Sequence, residues 1–462
     1  MILYTHSITP RLQYIVDFIG KELKIDDLRT TSSLQALGDY TGPKINYSDK
    51  RVSENEIWIK PHSLLFEKGI KEQNTGCFEV NANKAFFKTE GDFPFDIFSA
   101  SFYLLGRYEE YLPHSKDMYG RYAFENSLAY KENFLNLPII NLWLKDFILL
   151  VRERYSRFPT TDSRLPTPDL STGPAGSRLT FLPTYDIDIA WSYKHKGWRR
   201  NSGGLLLSFF KGQWSLIKER LQVLRGKEQD PFDAFDWMNK LHERYKLKPY
   251  YFFLVPEKRG RYDKNIPPSC SAMQELVKDN VTRYPTGIHP SWKSGDDISL
   301  LKKEIETLSN LTGKPIDSSR QHYIRFNLPD GYRRLIDNGI KFDFSMGYGS
   351  INGFRASVCS PFYWYDLKRE EQTQLLLFPF CYMEANSFYE HKYSSQQALE
   401  EMRQYYKVVK SVNGYFIMIW HNSFLGTDKL TAGWREIYEQ FIKEATKAPP
   451  DLPEGTAYLT QP

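Results

Sequence analysis

The chain has 462 residues, of which 41% are hydrophobic and 16% aromatic. This length predicts two or three domains, and the hydrophobic content excludes a chain that is disordered throughout. The net charge of +5 arises from 61 basic and 56 acidic residues, a balance that gives no reason to expect a nucleic-acid partner.

The cysteines and the N-terminus restrict the compartment. Four cysteines without a CxxC pair predict neither a zinc ribbon nor a disulfide framework. The N-terminal residues do not contain a basic region followed by an apolar region, so no secretory signal is predicted. No run of about 18 apolar residues predicts a membrane span. We therefore expect a soluble cytoplasmic protein.

The first part of the chain, residues 1–157, is predicted to be a smaller α/β domain, because short apolar runs alternate there with helical periodicity. Its predicted elements are strands at 2–4 and 57–59 and helices at 11–23, 95–112 and 137–155. Residues 158–177 contain four prolines and two glycines and lack periodicity, which predicts a linker.

Strands and helices alternate through residues 178–462. The predicted strands are 179–185, 250–255, 341–344 and 415–420, with shorter strands ending near 289 and 320. The predicted helices follow a cap at Asp230 and then cover 297–313, 329–338, 395–412 and 433–446. This alternation favours a parallel sheet that is closed, or nearly closed, into a barrel.

Polar side chains occur where these strands end. They are Asp186, Asp188, His289, Arg320, His322 and His421. In α/β barrels the carboxyl ends of the strands form the rim that carries the chemistry. We therefore expect these side chains to surround one site.

Each of these residues also has a structural interpretation. Asp186 and Asp188 are two apart and face the same side of a strand, where a cation or a shared proton would relieve their repulsion; Asp pairs also occur in simple turns. His289 is a candidate zinc ligand or a loop cap. His421 is a candidate proton donor or a half-buried structural histidine. His322 is a candidate ligand, substrate contact or loop residue.

With these polar residues in this order along the chain, residues 179–441 resemble the polysaccharide deacetylase-like domain of the carbohydrate esterase family 4 type. The resemblance implies a distorted (β/α) barrel, one divalent metal, usually zinc, and removal of acetyl groups from N-acetylated sugars. Thr184-Tyr-Asp-Ile-Asp188 is similar to the first motif of that family with one residue inserted. The resemblance implies that Asp186 is the base and Asp188 a metal ligand.

The second and third motifs depart from the family. In His289-Pro-Ser-Trp-Lys293 the first ligand is kept, whereas Lys293 stands where a second histidine is expected, and an ammonium cannot bind zinc. Arg320-Gln-His-Tyr323 resembles the Arg-x-Pro-Tyr motif, with His322 in place of proline. The resemblance implies that Arg320 orients the base. His322, which departs from the family, is our candidate for the missing ligand.

The last two motifs are shorter. Asp343, in Phe342-Asp-Phe344, is the nearest remnant of the fourth motif. Ile419-Trp-His421 is similar to the Leu-x-His motif, which implies that His421 is the catalytic acid. Tyr323, Trp292 and Trp420 are then candidates to line the sugar site.

The N-terminal region carries two motifs of its own. Gly106-Arg-Tyr-Glu-Glu-Tyr111 and Tyr119-Gly-Arg-Tyr122 look like the domain that precedes such barrels in some bacterial proteins. The resemblance implies no activity for this region, and we expect its Arg and Glu residues to form structural salt bridges.

One insertion, residues 194–227, is predicted to follow the first motif and lie beside the cleft. It contains nine basic residues and one acidic residue, interleaved with Leu205-Leu-Leu-Ser-Phe-Phe210 and Trp214. Such a segment is typical of a lid over an anionic glycan, of a membrane-surface contact, or of a solvated basic face.

Two functions follow from the sequence. The first is a metal-dependent hydrolase, with zinc as the expected metal, that removes an acetyl group from an N-acetylated sugar or a related amide. The second is a non-catalytic carbohydrate-binding or scaffold protein on a degenerate barrel, which Lys293 motivates.

Overall fold

The computed structural model describes residues 1–25, 27–155 and 179–446. Its first region is built on a four-stranded parallel sheet in the order β2-β1-β3-β4. The strands of this sheet are β1 (Ile2–Tyr4), β2 (Arg29–Thr31), β3 (Lys44–Tyr47) and β4 (Ile57–Ile59), followed by the hairpin β5 (Phe78–Val80) and β6 (Asn83–Ala85). The helices are α1 (Pro10–Glu22), α2 (Leu34–Asp39), α3 (Ile97–Leu105), α4 (Leu128–Lys131) and α5 (Ile139–Arg154).

The second region contains a nine-stranded sheet in the order β12-β13-β11-β10-β9-β8-β7-β15-β14. The strands are β7 (Thr180–Ile187), β8 (Tyr250–Phe253), β9 (Thr286–Ile288), β10 (Ser318–Ser319), β11 (Phe342–Asp343), β12 (Phe362–Asp366), β13 (Glu371–Leu377), β14 (Tyr382–Met383) and β15 (Tyr415–His421). All neighbouring strands are parallel except β12 and β13. The carboxyl ends of the parallel strands therefore lie at the same edge of the sheet.

Helices connect and cover these strands. They are α6 (Gly197–Phe210), α7 (Trp214–Leu224), α8 (Phe235–Tyr245), α9 (Ser271–Arg283), α10 (Ile298–Thr312), α11 (Asp330–Asp337), α12 (Ser395–Ser411) and α13 (Trp434–Ala445). Their inward faces are apolar, as in α10, where Leu301, Ile305 and Leu308 are buried. Among the described residues, no helix has both the length and the apolar character needed to cross a bilayer.

The mixed α/β class is as predicted. The sequence predicts a closed or nearly closed barrel, and the hydrogen-bonded strands of the described residues do not form a closed one. Within the described ranges, the end strands β12 and β14 do not pair with each other. The chain between β13 and β14 crosses the gap instead, because the Phe380 N–H donates to the Met346 carbonyl at 3.2 Å and the Cys381 N–H to the Ile417 carbonyl at 3.3 Å. Four residues of irregular backbone thus take the place of a closing strand pair.

The two regions pack on each other through a buried polar network. Arg355 donates to both oxygens of Glu110 at 2.8 and 2.7 Å. Arg107 donates to Glu110 at 2.8 Å and also to the Arg355 carbonyl. The two guanidiniums lower the pKa of Glu110 to about 2, although burial alone would raise it. The motif at 106–111 therefore stabilises the contact between the regions.

Two predicted helices differ from the structure. The helix predicted at 95–112 ends at Leu105, because Arg107 adopts a left-handed conformation with φ 50° and begins a separate short turn. Asp230 does not cap α8, whose N-cap is Ala234. The Asp230 carboxylate instead accepts the backbone N–H groups of Ser192, Tyr193 and Lys194 at 2.7–2.8 Å, which fixes the start of the insertion.

Candidate active site

The strand ends bring the predicted polar side chains into one cluster. His421 at the end of β15 is in register with Asp186 on β7, and β8, β9 and β10 continue the row toward Arg320. Because the strands are parallel, their carboxyl ends meet at one edge of the sheet. The edge therefore collects residues that are up to 235 positions apart in the chain.

Asp186 is held by a buried arginine. Arg320 Nη1 donates to Asp186 Oδ1 at 2.9 Å and to Thr184 Oγ1 at 2.7 Å, and Arg320 Nε donates to the Phe344 carbonyl at 3.0 Å. The guanidinium also lies over the Phe252 ring, 4.5 Å from its centroid. These four contacts bury and fix Arg320, which therefore sets the position of the Asp186 carboxylate.

A second carboxylate, Asp188, lies between two histidines. Its Oδ1 is 3.0 Å from His289 Nε2 and its Oδ2 is 3.3 Å from His322 Nε2. One ligand atom from each of these residues lies within 4.8 Å of the others. Two imidazoles and a carboxylate are the donor set that divalent zinc binds in proteins.

Hydrogen bonds on the outer side of each ring orient both histidines. His289 Nδ1 is 2.5 Å from the Arg320 carbonyl, and His322 Nδ1 is 3.1 Å from Asp263 Oδ1. A carbonyl oxygen can only accept, so His289 carries its proton on Nδ1 and directs the Nε2 lone pair inward. This is the arrangement that fixes histidine ligands in metal sites.

The inner oxygen of Asp188 lacks a hydrogen bond. Asp188 Oδ1 is buried and accepts none from the residues that the structure describes, although His289 Nε2 is only 3.0 Å away. Two lone pairs at that distance repel unless a proton or a cation lies between them. The residues therefore fit a bound divalent ion.

The charges within this group shift their proton affinities. Burial raises the pKa of Asp188, but the neighbouring His322 lowers it, and the pKa of Asp188 lies well below its usual range. Burial lowers the pKa of His322, whereas Asp188 and Asp263 raise it, to about 9. Without a metal, His322 is therefore protonated at neutral pH, and a metal bound there would displace that proton.

His421 lies on the other side of Asp188 and is held by a buried glutamate. Glu384 Oε1 accepts from His421 Nδ1 at 2.6 Å and from the His421 backbone N–H at 2.7 Å. His421 Nε2 is 3.5 Å from Asp188 Oδ2. Burial lowers the pKa of His421, but Glu384 and Asp188 raise it to about 10. The protonated ring thus directs an Nε2–H group into the site.

These groups open onto a cavity of about 420 Å³. The cavity wall includes Asp186, Asp188, His289, His322, Tyr323 and His421, together with Tyr119 and Arg121 from the N-terminal region. Arg121 donates to the Tyr323 carbonyl at 2.7 Å and to Asp117 at 2.6 Å. The N-terminal region therefore forms part of the wall, and it fixes Tyr323 in a left-handed conformation with φ 58°.

Aromatic rings gather beside the cavity. Tyr262 stacks on Trp292 with ring centroids 3.9 Å apart, and Tyr119 lies 5.3 Å from Tyr323 and 6.0 Å from Trp292. All four side chains are partly exposed. A partly exposed aromatic face is the kind of surface on which a ligand ring packs.

Trp420 does not belong to this aromatic group. It is fully buried and packs against Tyr438, 4.5 Å away, and Trp434, 6.2 Å away. Neighbouring residues on a strand face opposite sides, so Trp420 lies behind the sheet when His421 faces the cavity. The expectation that Trp420 lines a sugar site is therefore wrong.

Sequence reasoning missed four residues at the site, namely Asp263, Glu384, Tyr119 and Arg121. Asp263 and Glu384 contact histidines that are 59 and 37 positions away. Glu384 carried a signal, since it follows the apolar run 380–383 as the other polar residues follow their strands. Tyr119 and Arg121 lie in the motif at 119–122, where the sequence predicted structural salt bridges and no site. The position assigned to the fourth motif, Asp343, instead contacts Ser319 and Ser345 at 2.7 and 2.9 Å.

Lys293 is exposed, and His322 rather than Lys293 stands with Asp188 and His289. We expect Lys293→His to change zinc affinity less than about tenfold, the smallest effect usual for a residue that only orients a ligand. Isothermal titration of zinc into the metal-free chain measures this, with His289→Ala as the variant that loses affinity. Tightening by orders of magnitude would show that the site is incomplete without a histidine at 293.

One comparison with known proteins concerns the N-terminal region. A family model described as a family of unknown function, DUF7033, matches residues 1–156. No curated protein of described function is similar enough to match the chain.

Solved structures are similar to part of the chain at low identity. A Mycobacterium smegmatis protein assigned as a polysaccharide deacetylase is 12% identical, over 62% of this chain and 87% of that one, with a TM-score of 0.38. The allantoinase PuuE is 12% identical, over 61% and 92%, with a TM-score of 0.38. A carbohydrate esterase 4 pseudoenzyme from Bacillus anthracis is 10% identical, over 60% and 67%, with a TM-score of 0.30. These values are too low to assign an activity to the chain.

Proposed function

We propose that this chain is a metal-dependent hydrolase of the polysaccharide deacetylase type, which removes an acetyl group from an N-acetylated sugar or a related amide. The observation that carries the proposal is the arrangement around Asp188. A possible metal-ligand set lies at the centre, Asp186 with Arg320 on one side, and His421 with Glu384 on the other. A base, an acid and an electrophile around one cavity are the parts that amide hydrolysis requires.

The residues that would hold the ion are Asp188, His289 and His322. We take it to be Zn²⁺, because two imidazoles and one carboxylate suit zinc better than the all-oxygen sites of magnesium or calcium. When bound, such an ion polarises an amide carbonyl and makes a neighbouring water more acidic.

Asp186 is the proposed general base. Its Oδ1 is occupied by Arg320 at 2.9 Å, whereas its Oδ2 faces His289 Nε2 at 3.7 Å. The free oxygen therefore points toward the ligand set, where a water attacking a carbonyl would lose its proton. Arg320 acts as a positioning residue, since it holds the carboxylate from behind.

His421 is the proposed general acid. Glu384 accepts the Nδ1 proton and leaves the Nε2–H directed into the cavity, where it can protonate the amine as the amide bond breaks. A raised pKa keeps this proton in place at neutral pH. The cavity wall beside it includes Tyr323, and the adjoining Trp292 and Tyr262 form an aromatic surface on which a sugar face could rest.

The direct test is release of acetate. The full chain, purified without chelator and supplied with zinc, is incubated with N-acetylglucosamine and with chitin oligosaccharides, and free acetate and new amines are quantified. We expect turnover that is lost with chelator and restored by zinc. A chain that binds zinc yet releases no acetate from any N-acetylated sugar would instead favour a non-catalytic carbohydrate-binding role.

Glu384→Gln tests the proton donor. The carboxylate raises the pKa of His421, so its replacement by a neutral amide lowers that pKa and the imidazole loses its proton at a lower pH. We expect the alkaline limb of the kcat profile to move to lower pH, with zinc affinity nearly unchanged. The kcat–pH profiles of parent and variant measure this, and an unmoved limb would remove His421 from the role of acid.

A further inference from the structure

The exposed apolar side chains of the molecule are concentrated in one place. Of the seventeen large apolar side chains that are exposed in the described part of the chain, eight lie between Trp198 and Leu224. This stretch is α6 and α7, which form a helical hairpin over residues 197–224. Single exposed apolar residues are normal on a protein surface, but a contiguous group marks an interaction site.

The most exposed rings lie at the turn of the hairpin. Phe209, Phe210 and Trp214 are 55%, 77% and 63% exposed, and Phe209 contacts both of the others, with ring centroids 5.9 and 5.3 Å apart. We call these three residues the aromatic tip. The turn between the helices contains Gly212 with φ 66°, a conformation that glycine adopts without strain.

The base of the hairpin, in contrast, is fixed to the body of the protein. Asp230 accepts three backbone N–H groups just before α6. Tyr193 donates to Glu219 at 2.8 Å, and Arg220 lies over the Tyr193 ring and donates to the Asn201 carbonyl at 3.0 Å. These contacts therefore fix the base of the hairpin that carries the aromatic tip.

The charge around the tip selects the partner. Residues 194–227 contain nine Lys and Arg residues, and the one acidic residue, Glu219, is bound to Tyr193 at the base. Lys211 and Lys218 are exposed beside the tip. A second copy of the hairpin would oppose cations with cations, so self-association is disfavoured. An anionic surface with an apolar interior complements both the rings and the charges.

We propose that the helical hairpin docks this protein on the surface of an anionic lipid bilayer. The aromatic tip would enter the boundary between headgroups and acyl chains, and the lysines would contact the anionic headgroups. The hairpin follows β7, and Arg200 at its base donates to the Lys264 carbonyl at 3.0 Å, next to the Asp263 that orients His322. Docking would thus hold the cavity close to the bilayer.

Vesicle sedimentation tests this with the full chain, whatever its catalytic activity. The probes are vesicles of phosphatidylcholine alone and of phosphatidylcholine mixed with an equal amount of phosphatidylglycerol. We expect binding to the mixed vesicles that weakens as salt screens the charges. The triple variant Phe209→Ser, Phe210→Ser, Trp214→Ser and the double variant Lys211→Glu, Lys218→Glu should each bind at least about tenfold more weakly.

The matched controls are Leu149→Ser and Lys278→Glu, which change exposed residues of α5 and α9 and should bind like the parent. All altered side chains are exposed, so circular dichroism and Tm should match the parent in every variant. No binding to the mixed vesicles would overturn the proposal, as would equal binding to phosphatidylcholine alone or an unimpaired triple variant. Dimerisation that depends on the tip, without vesicle binding, would assign the hairpin to a second copy instead.

Discussion

Replacing Asp188 with alanine is expected to abolish tight zinc binding. Asp188 is the one carboxylate in the proposed ligand set, and it contacts His289 and His322 at 3.0 and 3.3 Å. Its loss removes a ligand and also the charge that holds the two imidazoles together. Loss of a residue that only orients a ligand lowers metal affinity by about 10- to 100-fold. We expect Asp188→Ala to lower zinc affinity by more than this.

Asp263→Asn provides the matched comparison for Asp188→Ala. Asp263 orients His322 through Nδ1 at 3.1 Å and is not one of the three ligand residues. We expect its variant to lose about 10- to 100-fold in affinity, measured by titration of the metal-free chain and by metal content after dialysis. Zinc binding by Asp188→Ala at the affinity of the parent would show that the ligand set is assigned wrongly.

Asp186→Asn is expected to lower turnover by at least about a hundredfold, the usual contribution of a general base, while zinc stays bound. Asparagine keeps the shape of the buried carboxylate and can still accept from Arg320, but it cannot take a proton from water. Acetate release and zinc content are measured on the same preparation.

The control for Asp186→Asn is Asp343→Asn, the same change at a buried aspartate on β11 of the same sheet. Asp343 is held by Ser319 and Ser345 and does not line the cavity. We expect it to keep most of the turnover if it folds with the Tm of the parent. Full activity in Asp186→Asn, together with loss in Asp188→Asn, would reverse the two proposed roles.

Sequence pattern alone predicted which strand ends would meet. Asp186, His289, Arg320 and His421 were placed at one edge because parallel strands begin and end together, and the register of β7 with β15 sets Asp186 beside His421. Because successive residues of a strand face opposite sides, Trp420 and Tyr185 lie on the other face of the sheet, where Trp420 is buried. Its assignment to the sugar site ignored that rule.

The remaining residues depend on how loops fold back, which periodicity does not record. Asp263 reaches His322 from a loop after β8. Tyr119 and Arg121 belong to the other region and reach the cavity only because the two regions are docked. Such contacts join positions that are more than 50 residues apart, and a single sequence contains no measure of their distance.

The network of Arg107, Glu110 and Arg355 also bears on how the protein unfolds. Each of these side chains is at most 4% exposed, and the apolar core is continuous across both regions. Removing one partner of a buried ion pair commonly costs about 3–5 kcal/mol. Glu110 and Arg355 lie in different regions, so loosening either region weakens this buried pair. We therefore expect the two regions to unfold together. The linker predicted at 158–177 lies outside the described residues. We expect calorimetry to show one cooperative transition, and a mutation that loosens the N-terminal region to lower the melting temperature of the second region as well.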